Sequence, residues 1–198
     1  MGTKVFIDTY YGGHLSLSDN VYATAQAGAG VYTQSTLRDV GQIYYNPGYI
    51  VYRLGSAFDT SSLGAGVTIT SATLSLYGWS DDSDTDFDIT IVSGADLADK
   101  LVDADYQDLL NDTTSFGSLS SASFVEGAWN VITLNPTGLA AISKTGATRF
   151  GIRSSRDISA TTPTGFEEVQ FEGAFVGNHP AQLSVTYTGG FIPKVFIM

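Results

Sequence analysis

Between Val67 and Trp79 apolar and polar residues alternate, and the alternation changes phase once. Val67 and Ile69 share one parity, whereas Ala72, Leu74 and Leu76 share the other, which puts the break near Ser71. Successive side chains of a strand point to opposite faces, while a helix repeats about every 3.6 residues, so this pattern belongs to a strand. A β-bulge near Ser71 would turn both sets toward one core and bend the strand, as happens where sandwich strands round a corner.

Strand patterns recur along the rest of the chain. Phe87, Ile89 and Ile91 lie on one face with Asp86, Asp88 and Thr90 on the other, which marks a half-buried strand. The turn Asn46-Pro47-Gly48 leads into Ile50 to Leu54, a core strand whose Arg53 needs a polar partner or solvent. Gly13 to Thr36 and Gln42 to Leu54 are rich in Tyr, Val and Thr, and Trp129 to Leu134 reads as another strand. Three closing strands carry Phe150 with Ile152, Val169 with Phe171, and Leu183 with Val185 and Tyr187. Helices have little room. Residues 96–110 can form one or two turns lined by Leu97, Leu101, Leu109 and Leu110, and Asn135-Pro136-Thr137-Gly138 introduces a short piece over Leu139 to Ser143. A chain of 198 residues suits one large core, and no Pro/Ser-rich linker divides it. The expectation is an all-β antiparallel β-sandwich over residues 1–188, followed by an apolar C-terminal arm over 189–198.

The charge balance narrows the partners. The formal net charge is −11, and Asp81 to Asp112 holds eleven Asp against the single Lys100, so that stretch supplies −10 of it. Phosphate backbones and anionic lipids need clustered Lys and Arg, so neither nucleic acid nor membrane is an expected partner. Without Cys the chain uses no disulfide or thiolate metal site. Its start lacks an apolar run of signal-peptide type, which leads to the expectation of a cytosolic product.

Lys4-Val5-Phe6-Ile7 recurs as Lys194-Val195-Phe196-Ile197. The tail Phe191 to Met198, set off by Gly189 and Gly190, would reach about 26 Å if extended and is too apolar to stay in water. Val5, Phe6, Ile7, Phe191, Ile192, Val195, Phe196 and Ile197 are therefore candidate assembly residues, suited to strand addition on the same sheet or on a neighbouring subunit.

Motifs for catalysis are absent. There is no Gly-x-Ser-x-Gly turn and no phosphate-cradling loop, and His14 and His179 are expected in surface loops. Glu172 is placed opposite Arg153 as a structural ion pair. No catalytic residue and no obligate cofactor is expected. Asp82, Asp84, Asp86 and Asp88 offer oxygen at alternate positions, as in a calcium-binding loop, although Phe87 stands where an EF-hand has glycine and Ser93 where it has glutamate. The bland reading of the same run is a solvated acidic loop that protects sheet edges. Sugar rings stack on aromatic faces, and Tyr10, Tyr11 and Trp79 are the candidates for such a platform, against the alternative that they fill the core.

The stretch Tyr52-Arg53-Leu54 through Phe58-Asp59-Thr60-Ser61-Ser62-Leu63, with Gly66 to Tyr77 after it, resembles the DNRLRE-type β-sandwich modules. Phe171-Glu172, Asn178-His179-Pro180 and Leu183 to Tyr187 are similar to the last strands of that family. The resemblance spans Tyr52 to Tyr187 and implies a jelly-roll-like sandwich. Arg53-Leu54-Gly55-Ser56-Ala57-Phe58 departs from the family's usual opening, an Arg before a Leu-x-Phe strand, so no ligand residue carries over. Modules of this type occur in surface proteins and polysaccharide-degrading systems, some as carbohydrate-binding modules. Similar ones in phage sequences look like virion surface components.

The resulting expectation is a non-catalytic structural protein, a capsid decoration or accessory subunit of a phage-like virion, assembled in the host cytoplasm with other subunits as a homo-oligomer. The alternative is a carbohydrate-binding module for cell-surface or polymeric glycans. A second alternative is a subunit of an extracellular filament that exchanges strands.

Overall fold

The computed structural model describes residues 1–10, 12–173 and 179–189. In chain order its elements are β1 (Gly2–Ile7), β2 (His14–Asp19), α1 (Tyr22–Ala27), β3 (Val31–Thr33), β4 (Leu37–Tyr45), β5 (Gly48–Asp59), β6 (Val67–Asp81) and β7 (Asp88–Ser93). Then follow α2 (Asp105–Asp108), β8 (Gly117–Ser120), β9 (Trp129–Thr133), α3 (Pro136–Ala141), β10 (Ala147–Ser154), α4 (Ser155–Ile158), β11 (Phe166–Glu172) and β12 (Gln182–Gly189).

Every strand pairing among the described residues is antiparallel. The all-β class therefore holds. The strands do not divide into two separately hydrogen-bonded sheets, however. One path runs β1-β12-β6-β11-β4-β5-β10-β7-β8, with β9 on β6, β2 on β5 and β3 on β2. The path curls on itself, which brings Leu74, Ile132 and Leu183 of one end into the same apolar cluster as Phe58, Ile89 and Phe150 of the other.

The phase change in β6 is a bulge. Ile69 lies opposite Tyr187 and Ser71 opposite Thr186, leaving Thr70 as the extra residue. Val67 on one side of it and Ala72, Leu74 and Leu76 on the other are all buried in the same cluster. A second irregularity follows. Gln170 faces Ser80 while Phe171 faces Gly78, so Trp79 is itself an extra residue. Phe87, Ile89 and Ile91 are buried as expected, and so is Thr90. Where β4 and β11 cross, Gly41 has φ +138, and a side-chain carbon there would run into the carbonyl oxygen of Glu167. Only glycine fits that approach.

The helices depart from expectation in part. Asn135 caps α3 by accepting from the Gly138 N–H at 3.0 Å, close to the anticipated place. Of residues 96–110, only Asp105–Asp108 and a following 3-10 turn over Leu109–Asn111 are helical. Neither α1 nor α4 was anticipated. α1 forms within a stretch read as strand because Ala23, Ala25 and Ala27 favour helix, while Asp19 holds the entry by accepting from the Val21 N–H at 2.7 Å. It packs Tyr22 and Ala25, three residues apart, on one face.

A second apolar cluster lies under α1 and α2 and includes Leu15, Tyr22, Ala25, Val51, Leu97, Tyr106 and Leu109. Arg53 points into it. Its guanidinium grips Asp157 through Nε and Nη2, both at 2.8 Å, and donates to the carbonyls of Tyr106 and Gln26 at 2.7 Å each. Arg153 Nε donates to the same Asp157 Oδ2 at 2.8 Å, so one carboxylate serves two fully buried guanidiniums. Burial would raise the Asp157 carboxyl, but hydrogen bonds and charge from Arg53, and then from Arg153, hold it below the ordinary range. The Arg153–Glu172 pair expected from sequence does not form. Arg153 meets Asp157 only four residues on, because α4 folds that carboxylate back against β10.

Candidate interaction surfaces

β6 has its apolar row inside, so its other row must face out. Register extends that outer face across four strands. Thr3, Val5 and Ile7 of β1 lie beside Thr186, Ser184 and Gln182 of β12. These flank Thr73 and Ser75 of β6, with Thr133 and Val131 of β9 on the far side and Tyr77 paired to Trp129. None of these side chains is charged, in a chain of net charge −11. Val5 is 55% exposed and Ile7 47%, and Trp79, Trp129 and Val131 are also exposed. Among the described residues β1 pairs with β12 alone and ends the strand path.

Of the expected assembly residues, Val5 and Ile7 thus stand on this surface. Phe6 is instead buried and anchors β1 to the core. Phe191, Ile192, Val195, Phe196 and Ile197 lie outside the described residues.

The upper end of the face carries the aromatic side chains. Tyr77 and Trp129 meet edge to face at 5.4 Å between centroids, and His179 stacks flat on Tyr77 at 3.8 Å. His179 lies in a loop, as expected, and is half-buried, with its Nδ1 2.6 Å from Glu172 Oε2, so the imidazole is held between a ring and a carboxylate. Trp79 follows two residues after Tyr77, and its position as the extra residue of a bulge keeps the indole outside. Trp129 was not singled out beforehand, although strand parity with the buried Asn130 and Ile132 puts it outside.

Tyr10 differs from Trp79. It is buried, and its hydroxyl donates to the Ala98 carbonyl. Burial pushes that hydroxyl up to about 12, against the opposing charge of Arg149. Its ring forms a wall of a cleft described below, and Tyr11 lies outside the described residues.

The acidic run diverges. Asp82 Oδ2 accepts from Ser80 Oγ at 3.1 Å, Asp84 Oδ2 accepts from the Phe166 N–H at 3.1 Å, and Asp86 Oδ1 accepts from Ser121 Oγ at 3.2 Å. The Asp88 N–H, in turn, donates to Ser155 Oγ at 3.0 Å. Calcium needs six or more oxygens around one point. Among the described residues no three acidic or histidine side chains converge in a metal-binding arrangement.

A different set of acidic groups does come together. Glu168 of β11 and Asp39 of β4 lie near one another on the side of the sheet away from Val169 and Val40, with Tyr52 of β5 and His14 of β2 beside them. Burial first, and then the Asp39 charge, push Glu168 up to about 8, so it holds a proton at neutral pH. His14 Nδ1 lies 2.7 Å from Asp39 Oδ2 but is not aligned as a hydrogen bond. His14 also packs against the Tyr52 ring at 5.0 Å, so it sits buried in a strand, contrary to the loop expected for it. Glu168 is 6% exposed and Asp39 7%, which encloses the pair within the protein.

No protein-family model matches the chain, and no curated protein is significantly similar to it. Among the described residues, no helix is long and apolar enough to cross a membrane.

Proposed function

We propose that the chain is a non-catalytic structural subunit that assembles through the outer edge of β1 and the uncharged face beside it. The observation that carries this reading is β1 itself: an edge strand with Val5 and Ile7 turned outward, whose sequence Lys4 to Ile7 recurs at Lys194 to Ile197. A strand of the same pattern from a neighbour would extend the sheet through main-chain hydrogen bonds and cover both apolar side chains. Electrostatics favours the same place. Copies that each carry a charge of −11 repel one another, and contact costs least where no charge must be desolvated. The enclosure of Asp39 and Glu168 supports a non-catalytic role. The resemblance at Tyr52 to Leu63 adds the setting, a decoration or accessory subunit on a phage-like virion.

Two variants test this. Removing residues 191–198, or replacing Val5 and Ile7 together by Lys, should leave a folded monomer that no longer assembles or coats particles. Light scattering after size exclusion reads the mass, and electron microscopy reads the particles. Equal mass and equal coating for both variants and the full chain would sink the assembly reading, and absence of the chain from purified particles would sink its virion setting.

A second reading rests on the two tryptophans. Trp79 and Trp129 are both exposed, and Trp129 lies beside Tyr77 on the face that carries Thr73 and Ser75, a surface suited to a neutral glycan. Trp79→Ala should abolish signal on a glycan array if that reading holds, and should leave assembly unchanged.

A further inference from the structure

Most of the Lys and Arg side chains among the described residues are committed. Arg38 pairs with Asp8, Arg53 and Arg153 with Asp157, Arg149 with Asp99 and Arg156 with Glu167, and Lys4 donates to the Ser62 carbonyl. Among the described residues, no hydrogen bond or ion pair engages the ammonium of Lys100 or Lys144. An anion meeting this acidic protein therefore finds few places to dock.

Lys100 stands at a built cleft. It lines a space of about 340 Å³ with Thr9, Tyr10, Tyr32, Gln34 and Leu101. That volume lies at the small end of ligand pockets, which run from about 300 Å³ upward. The walls are fixed in place. The Tyr10 hydroxyl donates to Ala98, and the Tyr32 hydroxyl donates to the Gly12 carbonyl at 2.7 Å. The Lys100 loop is shaped by buried Asp105, which accepts from the Ala98 N–H at 2.9 Å and the Val102 N–H at 2.8 Å. Asp103 accepts from the Tyr32 N–H at 2.8 Å, and Asp99 is taken by Arg149. None of these neighbouring carboxylates is hydrogen-bonded or ion-paired to the Lys100 ammonium.

We propose that this cleft binds a small monocarboxylate with a flat apolar body, the carboxylate at Lys100 and the body between the Tyr10 and Tyr32 rings over Leu101. The ligand class follows from what the cleft offers. Both tyrosine hydroxyls are already donated to carbonyls, so the rings present carbon rather than hydrogen-bond donors, and Leu101 adds an apolar floor. Lys100 and the Gln34 amide supply polar recognition at one end. A sugar acid would bring several hydroxyls that the two rings and Leu101 leave unpaired. The cleft is separate from the β1 face, so this inference does not depend on the assembly reading.

The test is an amide NMR titration of the full chain at low salt with four probes: sodium benzoate, benzamide, sodium acetate and sodium glucuronate. Benzoate should shift the Tyr10, Tyr32, Gln34 and Lys100 amides and bind about tenfold more tightly than neutral benzamide, the scale of a charge-assisted hydrogen bond. Acetate, which has the charge without the ring, should bind more weakly still. Lys100→Gln should reduce benzoate to the level of benzamide, with the rest of the spectrum unchanged, whereas Lys144→Gln should change nothing. Equal affinity for benzoate and benzamide would overturn the role of Lys100. Glucuronate binding as tightly as benzoate would overturn the apolar body, and shifts confined to other residues would overturn the site.

Discussion

The end of the sheet built on β6 and the end that carries β2 and the helices both exclude water, but by different chemistry. Around β6, closure is apolar: Leu74, Leu76, Ile132, Phe171, Leu183 and Val185 each contribute a share, and no single residue organises the rest. Around β2, one carboxylate does the organising. Asp157 holds Arg53 and Arg153, and through them the carbonyls of Gln26 in α1, Tyr106 in α2 and Leu109 just after it. The Arg53 guanidinium also lies 4.1 Å from the centre of the Tyr106 ring. A distributed core loses stability in proportion to what is removed. A core centred on one charge fails as a unit, because a guanidinium without its carboxylate is an unpaired buried charge.

The hardest test of that contrast is Asp157→Ala, which strands two guanidiniums. It should cost about 3–5 kcal/mol in chemical denaturation. Hydrogen exchange should show α1, α2 and α4 opening first while β6 and β12 stay protected. Leu74→Ala, which removes one share of the other core, should cost about 2–5 kcal/mol with loss of protection centred on β6, β9 and β12. If the aspartate variant costs less than the leucine variant, or opens β6 first, the contrast is wrong.

A pH-dependent effect separates the enclosed acids from both. Glu168 ionises near 4.5 when unfolded and at about 8 when folded, so the folded protein holds an extra proton between those values. Its contribution is complete below the lower value and falls as pH rises through the upper one, by up to about 1.4 kcal/mol per pH unit. Glu168→Gln should remove that part of the slope, as thermal melts between pH 5 and about 9 would reveal. Identical slopes would mean that Glu168 ionises near its ordinary value. The smallest effect is expected on the outer face, where Val5→Lys should change stability by no more than about 0.5 kcal/mol and act on assembly alone.

How much of this could be read in the residues depends on the distance over which they act. The bulge near Ser71 and the burial of Phe87, Ile89 and Ile91 follow from neighbours two positions apart, and local alternation reports them. Trp129 was equally legible, since Asn130 and Ile132 fix its parity, but a large aromatic residue is easily assigned to the core. The partner of Arg53 was not legible, because Asp157 lies 104 residues away and nothing local marks the pairing. The meeting of Asp39 with Glu168, and of His179 with Tyr77, likewise depends on which strands become neighbours. α1 was hidden for another reason: Tyr22 and Thr24 suggest strand, and the alanines at 23, 25 and 27 decide otherwise once Tyr22 and Ala25 find a common surface to cover.

Thr70, the surplus residue of β6, donates its hydroxyl to the Thr186 carbonyl at 3.2 Å and stays exposed. Its removal would restore unbroken alternation, with Val67 and Ile69 still on the side of Ala72, Leu74 and Leu76, and would take out the local bend. A single residue can therefore be lost from β6 at Thr70 without turning an apolar side chain outward, whereas a single loss between Ala72 and Leu76 would reverse the faces. That rule binds the middle of the chain more tightly than any requirement on which apolar residue fills a given site.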